Sequence, residues 1–303
     1  MSAWLPTAPC TPGACVEASR RAAAVPRAVL RLTAVAALLL AGIAVVCVPS
    51  GLRHRLPAAL VRRWCRWVVR AAGVRVRVTG AAASEGGLLL VAPHVSWLDI
   101  PLLAAVRPAR MLAKSEVRRW PVAGAPAARA GVLFIERDRL RALPATVDAV
   151  ARALRAGAAV AVFPEGSTWC GRARGPFRRA VFQAALDAGA PVQPVRIRYR
   201  SGEGEVSTTP AFVGPDTLLA SVWRVVSARG LTAEVDVCPA VPPGRHGDRR
   251  SLAEAAEQAV HGGVHDGVHD GVHGGVHGGV PGRGRSGVHG HCGEAPSKSM
   301  CAL

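Results

Sequence analysis

Short apolar runs alternate with longer helical segments through the middle of this 303-residue chain. The apolar runs predict strands at 74–78, 88–91, 132–135, 159–163, 192–199 and 233–237. The segments between and after them predict helices at 97–106, 144–156, 176–188 and 249–260. Strands that alternate with helices restrict the fold to the α/β class. We therefore expect a mixed, largely parallel sheet flanked by helices over residues 73–260.

A histidine and an acid, His94 and Asp99, follow the apolar run Leu88–Val91. Ser96 and Asp99 have the S-x-x-D spacing of a helix N-terminus, with Ser96 as the N-cap and Asp99 in the first turn. A strand–turn–helix geometry would let the Asp99 carboxylate meet the imidazole, and a histidine oriented by a carboxylate is a common general base. The same pattern also fits a core histidine beside an ordinary capping acid.

Two further predicted strands stop abruptly at polar residues. One ends at Arg137, and the other runs into Glu165-Gly166-Ser167-Thr168. Because ligands of α/β sheets bind beyond the carboxyl ends of the strands, these ends and the His94 end predict one polar site. Three ordinary strand-to-loop exits are the alternative. Lys114 adds to the site hypothesis, because it is the one lysine of the predicted domain in a chain that otherwise uses arginine.

The N-terminal quarter predicts attachment to a membrane. Residues 1–26 lack periodicity and predict a flexible tail, whereas residues 27–72 contain the uncharged run 32–48 and a second helix rich in Trp and Arg at 57–72. Seventeen helical residues span about 26 Å, against a hydrocarbon core of about 30 Å. We expect a membrane-anchoring helix pair that crosses the bilayer or embeds in one leaflet. A buried core helix is the alternative.

The net charge, the cysteines and the C-terminal repeats indicate which binding partners and which compartment to expect. A formal net charge of +18 favours anionic partners, and an anionic membrane surface fits better than nucleic acid, since neither zinc-finger spacing nor an RNA-binding signature is present. Eight cysteines without a C-x-x-C pair fit a reducing compartment, and we expect no metal site. Residues 261–303 begin with glycine-rich His repeats that predict a disordered tail.

Taken together, the motifs resemble those of the membrane-associated glycerolipid acyltransferases typified by 1-acyl-sn-glycerol-3-phosphate acyltransferase. His94 and Asp99 match the H-x-x-x-x-D motif, Gly131–Arg137 the strand that ends in arginine, and Phe163–Ser167 the F-P-E-G-[ST] motif. A fourth motif resembles the strand start at 190–195. The resemblance covers residues 57–260, and four motifs in the family's order are far more specific than any one of them.

The resemblance implies an enzyme without a cofactor that moves a fatty acyl group from acyl-CoA or acyl carrier protein to a lysophospholipid hydroxyl. It implies 1-acyl-sn-glycerol-3-phosphate as the acceptor, phosphatidic acid as the product, and the cytoplasmic side of the cell membrane as the location. His94 would be the base and Asp99 its orienting acid. Substrate binding would involve Lys114, Arg137, Glu165, Gly166, Ser167 and Thr168.

One departure from the family pattern concerns the acceptor. Many members that use phosphate acceptors carry arginine at the position of Thr168. Lyso-ornithine lipid or another lysolipid is therefore an alternative acceptor, and a non-catalytic lipid or acyl-CoA binding protein is an alternative class. An α/β-hydrolase is disfavoured, because Gly166-Ser167 does not stand in a G-x-S-x-G frame.

Overall fold

A seven-stranded sheet forms the centre of the computed structural model, which describes residues 7–17, 25–48, 57–137, 139–202 and 204–262. Its order is β1-β7-β6-β2-β5-β3-β4. The strands are β1 Arg75–Thr79, β2 Leu88–Val91, β3 Arg110–Lys114, β4 Leu133–Ile135, β5 Ala159–Val162, β6 Val192–Arg200 and β7 Thr232–Val237.

The sheet is mixed and largely parallel, which confirms the predicted fold class. Strands β2 to β6 all run in one direction, β7 is antiparallel to β6, and β1 is parallel to β7. The sequence did not predict β3, because its residues Arg-Met-Leu-Ala-Lys include no β-branched or aromatic side chain. Pairing with β4 and β5 imposes the extended conformation there.

Helices cover both faces of the sheet. They are α1 Pro12–Cys15, α2 Val25–Cys47, α3 Ala58–Ala71, α4 Asp99–Val106, α5 Gly124–Arg129, α6 Leu143–Arg155, α7 Ala180–Ala188, α8 Leu218–Ser227 and α9 Arg249–His261, with short 3-10 helices at Ser115–Arg119 and Leu140–Ala142. The sequence patterns do not predict α1, α5 or α8.

Strand β2 supplies side chains to two separate cores. Leu88 and Leu90 pack in one core with residues of α3, α4 and α8, whereas Leu89 and Val91 pack in the other with residues of α6, α7 and α9. Successive side chains of a strand point to opposite faces, so a strand covered on both faces must be apolar at every position. This explains why the run before His94 is continuously apolar.

Helix α2 packs against α3, α5 and α8 but leaves most of its surface exposed. It is 23 residues long, about 35 Å at the α-helical rise, and only Ala28 and Val35 are buried. Trp64 of α3 donates its Nε1–H to the carbonyl oxygen of Leu38 at 3.2 Å and lies against Gly42. Among the described residues, α2 is the helix that is long and apolar enough to cross a membrane.

Within the flexible tail predicted for 1–26, residues 7–17 pack against the domain, whereas 1–6 and 18–24 lie outside the described residues. Cys10 is buried, the Glu17 carboxylate pairs with Arg172 at 2.6 Å, and the Glu17 N–H donates to Thr208 Oγ1 at 3.0 Å. These contacts join residues distant in sequence, so local patterns could not reveal them. The C-terminal tail predicted for 261–303 starts at His261, which is the last residue of α9. Residues 263–303 lie outside the described residues.

Candidate active site

The polar residues singled out by sequence follow parallel strands that end at the same edge of the sheet. His94 comes three residues after β2, Glu165 three residues after β5, and Arg137 two residues after β4, while Lys114 is the last residue of β3. Strand β5 lies between β2 and β3. The topology therefore brings the predicted residues to one edge, as the rule for α/β sheets requires.

His94 and Asp99 form a hydrogen-bonded pair. The Nδ1 atom of His94 lies 2.9 Å from Oδ2 of Asp99, and the same oxygen accepts the backbone N–H groups of Val95 at 2.7 Å and Ser96 at 2.8 Å. The other oxygen, Oδ1, accepts the Tyr199 hydroxyl at 2.6 Å. Asp99 is fully buried, so these four donors replace the water that its carboxylate gives up.

The predicted helix start needs a small correction. Helix α4 begins at Asp99 rather than at Trp97, and Leu98 occupies the N-cap position. Ser96 is not the N-cap, although its Oγ accepts the Leu98 N–H at 3.3 Å. The side chain that binds the free backbone donors before the helix is Asp99, which therefore shapes the turn and holds the imidazole at once.

The histidine ring is held in one orientation, and its Nε2 atom can accept a proton. Because a carboxylate only accepts hydrogen bonds, we assign the hydrogen to Nδ1, and Nε2 of the neutral imidazole then holds the lone pair that can accept a proton. The ring stacks on Phe163, with 4.0 Å between ring centroids and 8° between planes. The His94 side chain remains 21% exposed, so the pair is reachable from outside the domain.

Glu165 binds backbone N–H groups with both of its carboxylate oxygens. Its Oε2 accepts the His94 N–H at 2.8 Å and its Oε1 accepts the Gly175 N–H at 3.1 Å. Burial raises its pKa to about 7, despite these two hydrogen bonds, and the carboxylates of Asp99 and Glu257 add to the increase. The sequence predicts Glu165 as a substrate-binding residue, whereas both of its oxygens hold the His94 turn to the loop after β5.

Arg137 reaches the same loop through Gly166. Gly166 adopts a φ of 74°, which favours glycine, and its N–H donates to the Phe163 carbonyl at 3.1 Å to close a tight turn. The carbonyl oxygen of Gly166 accepts a hydrogen bond from Nη1 of Arg137. Ser167 and Thr168 follow this turn and are half-buried.

Lys114 lies at the same edge but further from the histidine. Two strand spacings, about 10 Å, separate β3 from β2. Its side chain is exposed. The pKa of the neighbouring Glu116 is lowered, first by its own backbone N–H and also by the charges of Lys114 and Arg137. The two basic side chains thus contribute positive potential on the same side of the site.

Sequence reasoning missed Tyr199 and Phe163 as members of the site. Tyr199 is the only tyrosine of the chain and the last but one residue of β6, and a lone polar aromatic at the carboxyl end of a buried strand was the available signal. Burial and the neighbouring Asp99 raise its pKa well above its usual value, so it stays a hydroxyl donor.

A histidine base held by a buried aspartate, beside an arginine, defines a site that can deprotonate a hydroxyl group next to an anionic substrate. Residues 74–198 match the family model for the acyltransferase domain. The chain is 38% identical to lyso-ornithine lipid O-acyltransferase of Pseudomonas aeruginosa, covering 69% of this chain and 83% of that one. It is also 38% identical to 1-acyl-sn-glycerol-3-phosphate acyltransferase of Neisseria meningitidis, covering 64% and 76%.

The chain therefore belongs to the acyltransferase family and is an acyltransferase, as the motifs predict. Its fold is similar to the crystal structure of the 1-acyl-sn-glycerophosphate acyltransferase of Thermotoga maritima. The TM-score is 0.57 at 18% identity, and the alignment covers 78% of this chain and 93% of that one.

Proposed function

We propose that this protein is a membrane-associated O-acyltransferase that acylates the free hydroxyl of 1-acyl-sn-glycerol-3-phosphate to give phosphatidic acid. The donor is the thioester of acyl-CoA or acyl carrier protein. The observation that carries the proposal is the His94–Asp99 pair, in which Nδ1 is bound to the carboxylate and the partly exposed ring leaves Nε2 for the acceptor.

In the proposed reaction, Nε2 of His94 takes the proton of the acceptor hydroxyl as its oxygen attacks the thioester carbonyl. A carbon–oxygen bond forms, the carbon–sulfur bond breaks, and the leaving thiolate takes the proton back from the imidazolium. Asp99 fixes the tautomer of the neutral imidazole and stabilises the imidazolium that forms. Direct transfer fits the buried position of Ser96, whose hydroxyl is poorly placed to act as a nucleophile.

The same proposal gives each of the other predicted residues a role. Arg137 binds the acceptor phosphate, for which its planar guanidinium is suited, and Lys114 adds a second positive charge for phosphate or the developing oxyanion. Ser167 and Thr168 line the acceptor pocket through hydroxyl and backbone groups. Glu165 and Gly166 act indirectly, because Glu165 holds the turn that carries His94 and the Gly166 carbonyl orients the Arg137 guanidinium.

Lyso-ornithine lipid is a second candidate acceptor. Thr168 stands where many phosphate-acceptor members have arginine, which removes one cation from the loop after β5. Relatives named for the two acceptors are equally similar to this chain, at 38% identity each. A zwitterionic or weakly anionic head group needs fewer cations than a phosphate monoester does.

The location that we propose is the cytoplasmic face of the cell membrane. Exposed leucines and valines of α2 form an apolar surface, including Leu30 and Leu40 at 69% and 62% exposure. Helix α3 presents Trp67 beside Arg63, with the guanidinium 5.2 Å from the ring centroid, a pairing that suits the head-group region. A lysolipid could reach the site without leaving the bilayer surface.

The test is an acceptor and donor panel with the wild-type protein in anionic vesicles. Labelled acyl-CoA and acyl carrier protein thioesters are each offered with 1-acyl-sn-glycerol-3-phosphate, lyso-ornithine lipid and water alone. We expect phosphatidic acid as the main product. Faster acylation of lyso-ornithine lipid would assign the second acceptor, and free fatty acid alone would contradict a transferase.

A further inference from the structure

Three cysteine thiols meet beside the loop that follows β5. The Sγ atoms of Cys10, Cys15 and Cys170 all lie within 4.8 Å of one another. Cys10 and Cys170 are buried and Cys15 is half-buried. Cys10 and Cys170 are 160 positions apart in the chain, which is why the cysteine spacing gave no sign of a cluster and predicted no metal site.

Local structure on each side of the cluster directs the thiols toward one point. On the N-terminal side, Thr11 caps the single turn of α1, where its Oγ1 accepts the Ala14 N–H at 3.3 Å and its carbonyl accepts the Cys15 N–H at 2.9 Å. This turn brings Cys10 and Cys15 to the same side. On the other side, the loop bends at Gly171, whose φ is 88°.

Contacts that do not involve sulfur hold the two sides together. Arg172 donates to the Glu17 carboxylate at 2.6 Å. The backbone of Glu17 also binds two threonines of the loop before α8, through its N–H to Thr208 and its carbonyl to Thr209. The cluster is therefore preformed by the fold and does not depend on a bond between the cysteines.

Thiols bind a metal ion as thiolates, so uptake of a divalent ion at this cluster would release the thiol protons to solvent.

We propose that Cys10, Cys15 and Cys170 bind a thiophilic divalent ion, with Zn²⁺ as the expected ion and water as the fourth ligand. Tetrahedral Zn–S bonds of about 2.3 Å place sulfur atoms roughly 3.8 Å apart, and the three Sγ atoms already lie within 4.8 Å of one another. Thiolate ligands select Zn²⁺ over Mg²⁺ and Ca²⁺. The ion would tie residues 10–15 to the loop that carries Glu165, five residues before Cys170.

The test is substitution of the full-length protein with Co²⁺ after removal of bound metal. Cobalt bound by thiolates gives a sulfur-to-metal charge-transfer band, whereas cobalt on the histidines of the C-terminal repeats does not. We expect one thiolate-bound cobalt per chain, with loss of the band in Cys170→Ser and in Cys10→Ser. Cys47→Ser, an exposed cysteine on α2, is the matched control and keeps the band.

Three outcomes would overturn the proposal: no charge-transfer band in the wild-type protein, a band that survives both substitutions, or a disulfide joining two of the three cysteines in protein isolated with zinc present. Circular dichroism of each variant shows whether it is folded. Because the readout is spectroscopic and needs no substrate, its failure leaves the proposed acyl transfer untouched.

Discussion

At the scale of single residues, the Asp99 side chain both shapes a backbone turn and orients the imidazole of His94. It binds the backbone N–H groups of Val95 and Ser96 and so sets the turn before α4, and it accepts the imidazole hydrogen of His94. The turn and the His94–Asp99 pair therefore form together. At the H-x-x-x-x-D spacing, one carboxylate oxygen reaches the imidazole and both backbone N–H groups.

Tyr199→Phe tests how much the buried hydroxyl contributes to this pair. Without it, Oδ1 of Asp99 is left without its hydroxyl donor in the protein interior, which costs about 1–3 kcal/mol of unfolding free energy. We expect kcat to fall about tenfold with little change in the acceptor KM, because Tyr199 is buried behind Asp99. Steady-state kinetics and denaturant unfolding measure the two effects.

Ser221→Ala is the matched control for Tyr199→Phe. It also removes a buried hydroxyl, but one on α8 that has no hydrogen-bond partner among the described residues. We expect its kcat to equal that of the wild type. Equal loss of activity in both variants would mean that Tyr199 acts only through general packing.

Glu165 predicts a specific pH dependence of stability. In the folded protein the Glu165 carboxyl group keeps its proton up to a pH of about 7, whereas in the unfolded chain it loses the proton near the ordinary glutamate pKa of 4.5. The folded state therefore binds more protons between these values, and stability falls as pH rises through this window, by about 3 kcal/mol in total. Above pH 7 this contribution is constant.

Glu165→Gln removes this titration while keeping the shape of the side chain. We expect the unfolding free energy of the wild type, measured relative to the variant, to decrease from pH 4.5 to pH 8. Denaturant unfolding at several pH values gives this difference, in which the other titrating groups cancel. A difference that does not change with pH would contradict the raised pKa.

Sequence and structure agree at the residues whose roles follow from local order. His94 and Asp99 lie five positions apart on one turn, so their pairing could be predicted. Other contacts join segments that are distant in the sequence. Tyr199 donates to Asp99, Phe163 stacks on His94, and Glu165 accepts two backbone N–H groups. Only the sheet order brings these residues together, and no local pattern encodes it.

At the scale of elements, the strands buried on both faces were the most predictable. Strands β2 and β5 are continuously apolar because helices cover both sides of the sheet. Strand β3 carries Arg and Lys at its ends and helix-favouring residues between them, so tertiary pairing overrides its propensity. Helix α4 begins at Asp99, two residues after its predicted start at Trp97. The Asp99 carboxylate binds the N–H groups of Val95 and Ser96 and so holds the residues before it in a turn.

Helix α2 carries a prediction about membrane attachment. Leu39 and Leu40 lie near its centre, at 43% and 62% exposure, so changing them disturbs little of the protein interior. A charge at the centre of a membrane helix costs about 2.5–3.5 kcal/mol. We expect Leu39→Glu and Leu40→Glu each to lower the membrane partition constant measured by vesicle flotation by about 70- to 370-fold, the factor that corresponds to this free energy.

Leu140→Glu is the control for these two substitutions. Leu140 is 56% exposed on a short 3-10 helix before α6, so the same change is made away from α2. We expect its flotation to match the wild type. Unchanged flotation of the α2 variants would show that α2 is not the attachment element.

At the scale of the whole molecule, a net charge of +18 predicts a preference for anionic membranes. We expect stronger binding to vesicles containing anionic lipid than to zwitterionic vesicles at low salt. The preference should shrink at 1 M salt, where the screening length is about 3 Å, while the apolar contribution of α2 remains. Equal binding to both vesicles at low salt would contradict a role for the charge.

The packing between segments that are distant in the sequence was the least predictable feature of the whole molecule. The α/β class and the mixed sheet could be predicted from alternation alone. Packing of residues 7–17 against the loop after β5 could not, because it depends on contacts such as Glu17 with Arg172, which are 155 positions apart. The same contacts create the three-cysteine cluster, which is invisible in the cysteine spacing.

The most direct test of the account is the rate of acyl transfer by His94→Ala in anionic vesicles, measured with labelled acyl-CoA and the acceptor that the wild type prefers. Loss of a general base lowers the rate by about 10²–10⁴-fold, and we expect a loss in this range with the fold intact by circular dichroism. His246→Ala, a half-buried histidine outside the site, should retain wild-type activity. A folded His94→Ala protein that transfers acyl groups at the wild-type rate would contradict the account.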